Sequence, residues 1–255
     1  PVEDRERLGE EARVAGGEGV SDLAQAHPLG LGEVRTFTGD YTEAETDLRE
    51  GLTLALQIGA LSGAATSQRL LGELLERKGD HAGAKEWLEG GVSACRGIGD
   101  NAELVLTLLA LGGNALWHLG EYDEARTLLS EALELAQAAD DGRATARAMH
   151  GLGNIALYRG EQEAATLYER SLAIRRSIGD ELGVANSLNN LGIIAANGGD
   201  SARAEDLFRQ SLATRRRLGD VAGVAVVVNN LGYMAAERGE HEQARRLFNQ
   251  SLDLR

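Results

Sequence analysis

Residues 181–220 read ELGVANSLNNLGIIAANGGD and then SARAEDLFRQSLATRRRLGD, and how this stretch is read decides the fold. In the first half, Val184, Leu188, Leu191, Ile194 and Ala195 recur at the threes and fours of a helix. Asn197-Gly198-Gly199-Asp200 then stops that helix, because glycine accepts the left-handed conformation in which helices end. Asp200 or Ser201 is placed to cap the next helix, where free backbone N–H groups favour an anionic or hydroxyl oxygen. The second helix carries Ala204, Leu207, Phe208 and Leu212 on one stripe. It closes on Arg215-Arg216-Arg217, cations set against the negative helix end. Leu218-Gly219-Asp220 starts the cycle again.

The cycle runs along the chain. Gly39-Asp40, Gly79-Asp80, Gly120-Glu121, Gly160-Glu161, Gly199-Asp200 and Gly239-Glu240 stand 40, 41, 40, 39 and 40 residues apart by subtraction. A period of this length predicts stacked supersecondary units, each burying its apolar face against its neighbours. On the second helix a small residue recurs as Ala44, Ala84, Ala125, Ala164, Ala204 and Ala244. Four residues on come Leu48, Leu88, Leu129, Tyr168, Phe208 and Phe248, and then Leu52, Val92, Leu133, Leu172, Leu212 and Leu252. The first helix carries Gly32, Gly72, Gly113, Gly153, Gly192 and Gly232, where a side chain would hold the two helices apart.

Leu191-Gly192 with Ala204 and Phe208, and Leu231-Gly232 with Ala244 and Phe248, resemble the signature of the tetratricopeptide repeat. The resemblance covers about residues 20–255. It departs from the usual ~34-residue unit in its longer helices and in a Gly-Asp turn where the family has proline. That long form is similar to the repeats of kinesin light chains and of bacterial signalling regulators. HEAT and armadillo arrays share the period of ~40–47 but lack this arrangement. The resemblance implies an all-α fold, a right-handed α-solenoid of about six helical hairpins plus an N-terminal helix. The units fall at approximately 20–60, 61–100, 101–140, 141–180, 181–220 and 221–255. Residues 1–19, helical in pattern from Glu3 to Ala15, read as the remnant of a preceding repeat, with Gly16-Gly17-Glu18-Gly19 as connector and Pro28 in the next helix. The chain is expected to be a fragment of a longer polypeptide or a trimmed array.

Three irregularities stand out. The step from Gly160 to Gly199 is one residue short, lost within Glu161-Gln162-Glu163. The third unit has Gly112-Gly113 for the Leu-Gly pair, and its connector is Ala139-Asp140-Asp141-Gly142. These are expected to alter the superhelical angle in mid-array.

Composition narrows the function. The formal charge of −14 argues against nucleic acid and anionic membrane as partners. Cys95 is alone, so no intrachain disulfide or cysteine-based zinc site is available, and it reads as a small buried residue. No apolar run reaches the ~18–20 residues that span a bilayer, and the N-terminus lacks a signal-peptide pattern, which makes a cytoplasmic protein the expectation. No P-loop, nucleophile elbow, HExxH or EF-hand motif occurs, so neither an enzyme, a cofactor nor a metal is expected.

The resemblance places the first helices on an inner, concave surface. Its groove-facing positions are Arg69 in the second unit, with Glu73 and Arg77, and Asn114, Trp117 and His118 in the third. The fourth unit gives Arg147, His150, Asn154 and Tyr158. The fifth gives Asn186 and Asn189, with Ile193 and Asn197, and the sixth Asn229 and Tyr233. Asparagine can both donate to and accept from an extended peptide backbone, arginine or histidine can hold a carboxylate, and the aromatic rings offer flat platforms. Asn190 and Asn230 read equally well as packing between adjacent helices. The clusters Arg175-Arg176, Arg215–Arg217 and Arg245-Arg246 read as solvated, salt-bridged outer surface, and Trp87 as packing. The leading expectation is a non-catalytic scaffold that holds a peptide or protein segment in its groove. The alternative is a sensor module of a larger bacterial signalling or transcription regulator, taking a small effector or a partner domain. A third is self-association through the terminal repeats.

Overall fold

The computed structural model describes residues 32, 35, 36 and 39–254. The expected N-terminal helix, its connector and Pro28 lie outside them. Among the described residues there are no strands, and eleven helices follow one another in packed hairpins, the all-α solenoid class expected. They are α1 (Tyr41–Ile58), α2 (Leu61–Lys78), α3 (His81–Ile98), α4 (Asn101–Leu119) and α5 (Tyr122–Ala138), then α6 (Gly142–Tyr158), α7 (Glu163–Ser177), α8 (Glu181–Asn197), α9 (Ser201–Leu218), α10 (Val221–Glu237) and α11 (His241–Asp253). The helices belong to two compact units divided within α5, after Leu135.

The turns follow from two residues. A glycine such as Gly199, at φ 81, ends one helix in the left-handed region, and the next residue caps the following helix. Asp80, Asp100, Asp141, Asp180, Asp200 and Asp220 each accept a hydrogen bond from the backbone N–H three residues on. Asp200 thus takes the cap and Ser201 becomes the first helical residue. In the aberrant connector Asp140 adopts the left-handed conformation itself, at φ 55. Aspartate tolerates that region better than most residues because its short side chain can bond locally.

In the first unit, Ala44, Leu48, Leu70, Leu71 and Leu74 form a buried cluster with Tyr41, Leu52 and Trp87 against it. The Arg49 guanidinium lies 5.2 Å above the Trp87 ring, in keeping with a packing role. Cys95 is buried, and burial pushes its thiol pKa up. In the second unit, Tyr168, Leu172, Leu188 and Leu191 form one cluster, and Phe208, Val227 and Met234 the next.

The glycines of the first helices face the bulky residues of the second. A Cβ on Gly72 would come 2.5 Å from Leu88 Cγ, on Gly153 2.9 Å from the Tyr168 ring, and on Gly192 or Gly232 2.7 Å from the ring of Phe208 or Phe248. In the third hairpin this residue is Gly112, whose Cβ would meet Leu129 Cγ at 3.0 Å. Gly113, the expected position, has open space around it. The Leu-Gly pair is therefore Leu111-Gly112, and the extra residue of the 41-residue step lies after it. The helix absorbs the insertion as a π segment over Leu111–Ala115, between α-helical Asn101–Ala110 and Leu116–Leu119. The missing residue before Ala164 has the opposite effect. There Ala164 N–H bonds to Glu161 three residues back, where Ala204 reaches Asp200 four back, and α7 starts late and without a side-chain cap.

One expectation about apolar runs is corrected. Helix α4 is long and apolar enough to cross a membrane by length and composition, at mean hydropathy 1.3. More than half of that window is buried inside the protein, where α4 packs against α2 and α3. Its hydropathy comes from Leu104, Val105, Leu108, Leu109 and Leu111, which are core residues here.

The two neighbouring glycines of the third hairpin separate these roles. Gly112→Ala should lower stability by about 1–3 kcal/mol through overpacking, whereas Gly113→Ala should leave it unchanged or raise it by up to about 1 kcal/mol. Urea unfolding midpoints check this, and the reverse order would return the packing role to Gly113.

Candidate functional site

In the second unit the positions expected to line a groove fall on α6, α8 and α10 in four rows, set by their distance from the leucine of the Leu-Gly pair. The two outer rows are open except at the half-buried Asn186. Arg147 and Val226 are exposed in one, as are Tyr158 and Asn197 in the other. Tyr158 is 64% exposed, and Tyr233, in an inner row, 60% with its ring edge 5.2 Å from Phe248.

The inner rows are knitted together. The Tyr168 hydroxyl donates to Asn154 Oδ1 at 2.7 Å, and Asn190 Nδ2 donates to the same oxygen at 3.1 Å. Asn189 Nδ2 donates to Asn190 Oδ1 at 3.2 Å, and Asn230 Nδ2 donates to Asn189 Oδ1 at 2.9 Å. This amide chain links α6, α8 and α10 through side chains alone. Asn189 is 6% exposed with its amide engaged at both ends, so it does not offer the free groove amide expected of it. Asn190 and Asn230 sit in the same chain. Asn229 stays half-buried.

Asn186 is also committed, its Oδ1 accepting from Arg215 Nη2. That contact exposes what the sequence reading missed. Arg175 and Arg215 are 4% and 7% exposed and do not belong to a solvated outer surface. Arg215 also donates to Asp220 Oδ2 at 2.5 Å and Ser211 Oγ at 3.3 Å. Arg175 donates to the Gly183 carbonyl at 2.6 Å, with its Nε 3.8 Å from Asp180 Oδ2. A signal was present: each arginine stands seven residues after Tyr168 or Phe208, on the same buried stripe. Gly183 and Gly223 lie where a Cβ would overlap these arginines. The remaining arginines of the clusters are surface residues as expected, with Arg217 paired to Glu181 at 2.8 Å.

His150 occupies the row of Asn189 and Asn229. The residue is half-buried, Nδ1 is sealed from solvent without a hydrogen-bond partner, and the ring stands edge-on to Tyr168 at 5.3 Å. Burial, with the Arg175 charge adding to it, pulls its pKa down to about 3. The imidazole is neutral, and nothing here equips it as an acid–base group.

The first unit presents its positions differently. Arg69 donates to Glu103 at 2.6 Å and to Glu73 at 2.9 Å, so its guanidinium is engaged by two carboxylates, which raise its pKa against the effect of burial. Trp117 is half-buried with its ring edge-on to Tyr122 at 5.2 Å, while Asn114 and His118 are exposed. His118 stacks on His81.

Comparison with known proteins agrees with this architecture. The family model described as Tetratricopeptide repeat matches residues 104–177, 161–217 and 183–255, and a second model of that description matches residues 29–97. The chain belongs to the tetratricopeptide repeat family. No curated protein shows a significant sequence match. Among solved structures, the apo form of RapI superposes with a TM-score of 0.74 at 14% identity, over 97% of this chain and 88% of that one. A Rap protein complexed with competence and sporulation factor gives 0.69 at 11%, over 98% and 79%. A putative kinesin light chain of Podospora anserina with nearly identical TPR-like repeats gives 0.61 at 19%, over 80% and 100%. At these identities the likeness is one of fold.

The sealed histidine carries a pH signature. Its folded pKa lies below the ordinary value near 6.5, so between about pH 6.5 and 3 the unfolded chain binds the extra proton. This contribution to stability is complete above pH 6.5 and is lost as pH falls, by at most about 1.4 kcal/mol per pH unit. His150→Asn, which installs the residue found in the same row of the next two repeats, should flatten that acid limb. Parallel stability–pH curves for the two proteins would contradict the assignment.

Proposed function

We propose that this tetratricopeptide repeat chain is a non-catalytic interaction scaffold that receives an extended peptide or protein segment on the inner face of its first helices. The observation that carries the reading is the pair of exposed rings, Tyr158 on α6 and Tyr233 on α10, flanking a satisfied amide chain on that face. The amide chain fixes the spacing of the helices and leaves the rings, with exposed Arg147 and Asn197 and half-buried Asn229 and Ile193, as contact groups. Large apolar rings at low conformational cost are the groups that anchor a peptide. Arg147 supplies a cation for an acidic side chain or terminal carboxylate on an otherwise acidic protein. The first unit, taken by itself, presents the exposed Asn114 and His118 and the half-buried Trp117 at the corresponding positions, while Arg69 contributes to packing through Glu73 and Glu103.

A regulatory role, with this chain as the sensing part of a signalling protein, is the second reading. It is favoured by the structural likeness to a Rap protein complexed with competence and sporulation factor.

A random linear peptide library selected on the immobilised protein tests the scaffold reading. Enriched peptides should lose about tenfold or more in affinity to Tyr158→Ala with Tyr233→Ala, and should bind unchanged to Arg209→Ala on an outer helix. Failure to enrich any peptide, or equal affinity for all three proteins, would remove the inner-face assignment.

A further inference from the structure

We propose that Glu76, His81 and His118 form a binding site for a divalent transition-metal ion of the zinc class. The three residues come from three helices of the first unit: Glu76 from the last turn of α2, His81 from the start of α3 and His118 from the last turn of α4. The two imidazoles lie stacked, 17° from parallel with centroids 4.3 Å apart. His81 Nδ1 stands 3.0 Å from Glu76 Oε1, and one donor atom from each residue lies within 4.8 Å of the other two.

This arrangement is close to a coordination sphere. Zinc held tetrahedrally by bonds of about 2.0–2.1 Å sets its ligand atoms about 3.3 Å apart. The Glu76–His81 pair is nearly at that separation already, with a proton between the two atoms. The ion takes the place of that proton, which leaves to water. The stacked rings send their in-plane lone pairs along parallel lines, so binding requires the exposed His118 to leave the stack and turn its ring plane toward the ion. Two imidazoles and one carboxylate select zinc and its transition-metal neighbours over magnesium or calcium, which prefer oxygen alone. Three protein ligands leave a fourth position for water.

The repeat supplies its own control. One hairpin further on, the positions of Glu76 and His81 are held by Trp117 and Tyr122, which meet edge-on through their rings. The position of His118 is held there by Tyr158. The joint between the second and third hairpins thus replaces an aromatic contact with three metal donors, and among the described residues no other such group occurs. An ion at this place ties the α2–α3 turn to the end of α4, directly after the π segment.

Calorimetric titration of the untagged protein with zinc chloride near neutral pH tests the site, with cobalt(II) as a spectroscopic probe. The expected result is one zinc per chain and visible absorption bands of four-coordinate cobalt. Affinity should fall about tenfold or more in His118→Ala and in Glu76→Gln, and should be unchanged in His241→Ala. Zinc should raise the melting temperature of the wild type but not of His118→Ala. His118→Cys, which keeps a donor at that place, should restore binding and so separate loss of a ligand from loss of fold. The proposal is overturned by the absence of saturable zinc binding, or by binding that survives both His118→Ala and Glu76→Gln.

Discussion

Every fully described hairpin closes on a missing side chain. Where Gly72, Gly112, Gly153, Gly192 and Gly232 face Leu88, Leu129, Tyr168, Phe208 and Phe248, a single methyl group would sit inside normal contact distance of its neighbour. The approach lets a large side chain lie flat on the backbone of the opposite helix. Burial of such a side chain contributes about 1.5–3 kcal/mol, roughly two to three times the helix propensity that glycine forfeits. The left-handed glycines and capping aspartates then set where each helix begins and ends, and the apolar stripes need only face inward.

The joints between hairpins are of two kinds, and the change falls between the third and fourth repeats. Up to the third, the two stripe positions after the bulky leucine are small: Gly51 with Ala55, Gly91 with Cys95, Ala132 with Ala136. From the fourth onward the bulky residue is aromatic and the first of these positions is serine. Ser171, Ser211 and Ser251 each donate at 2.8 Å to a carbonyl on the first helix of their own hairpin, that of Ala146, Ala185 and Ala225 respectively, and so brace the hairpin from which the joint is made. Arg175 and Arg215 fill the second position and reach the capping aspartate or the backbone of the next hairpin. A buried arginine is tolerated best when its donors are paired: Arg215 bonds through Nε, Nη1 and Nη2, whereas Arg175 Nε is sealed without a hydrogen bond, 3.8 Å from Asp180 Oδ2. The glycines opposite, Gly183 and Gly223, make room for both side chains, so the arginine and the following glycine form a matched pair.

Much of this was legible in the sequence. The 40-residue period, the Leu-Gly pairs and the Ala-to-bulky spacing announce helical hairpins because packing on one stripe leaves a simple arithmetic trace. What escaped was what composition disguises. Arg175 and Arg215 look like their solvated neighbours Arg176 and Arg216, and only their distance of seven from an aromatic residue marks them as buried. Asn189 and Asn190 are adjacent amides of the same type, and only the neighbouring helices decide that both are consumed in a chain running from Asn154 to Asn230. The choice between Gly112 and Gly113 was hidden for a different reason. Counting back from the turn gives one answer and counting forward from the core gives the other, and a helix that widens by one residue satisfies both counts.

That widened turn has a consequence for how such a chain tolerates change in length. The residues before Leu111 keep step with the buried interface, and those after Ala115 keep step with the connector at Gly120. An added residue has therefore been confined to a single broad loop of backbone, where elsewhere it would rotate every later side chain out of place. The end of the helix becomes free to vary in what it displays while its root stays fixed, much as a hinge pin lets a door be rehung without moving the frame.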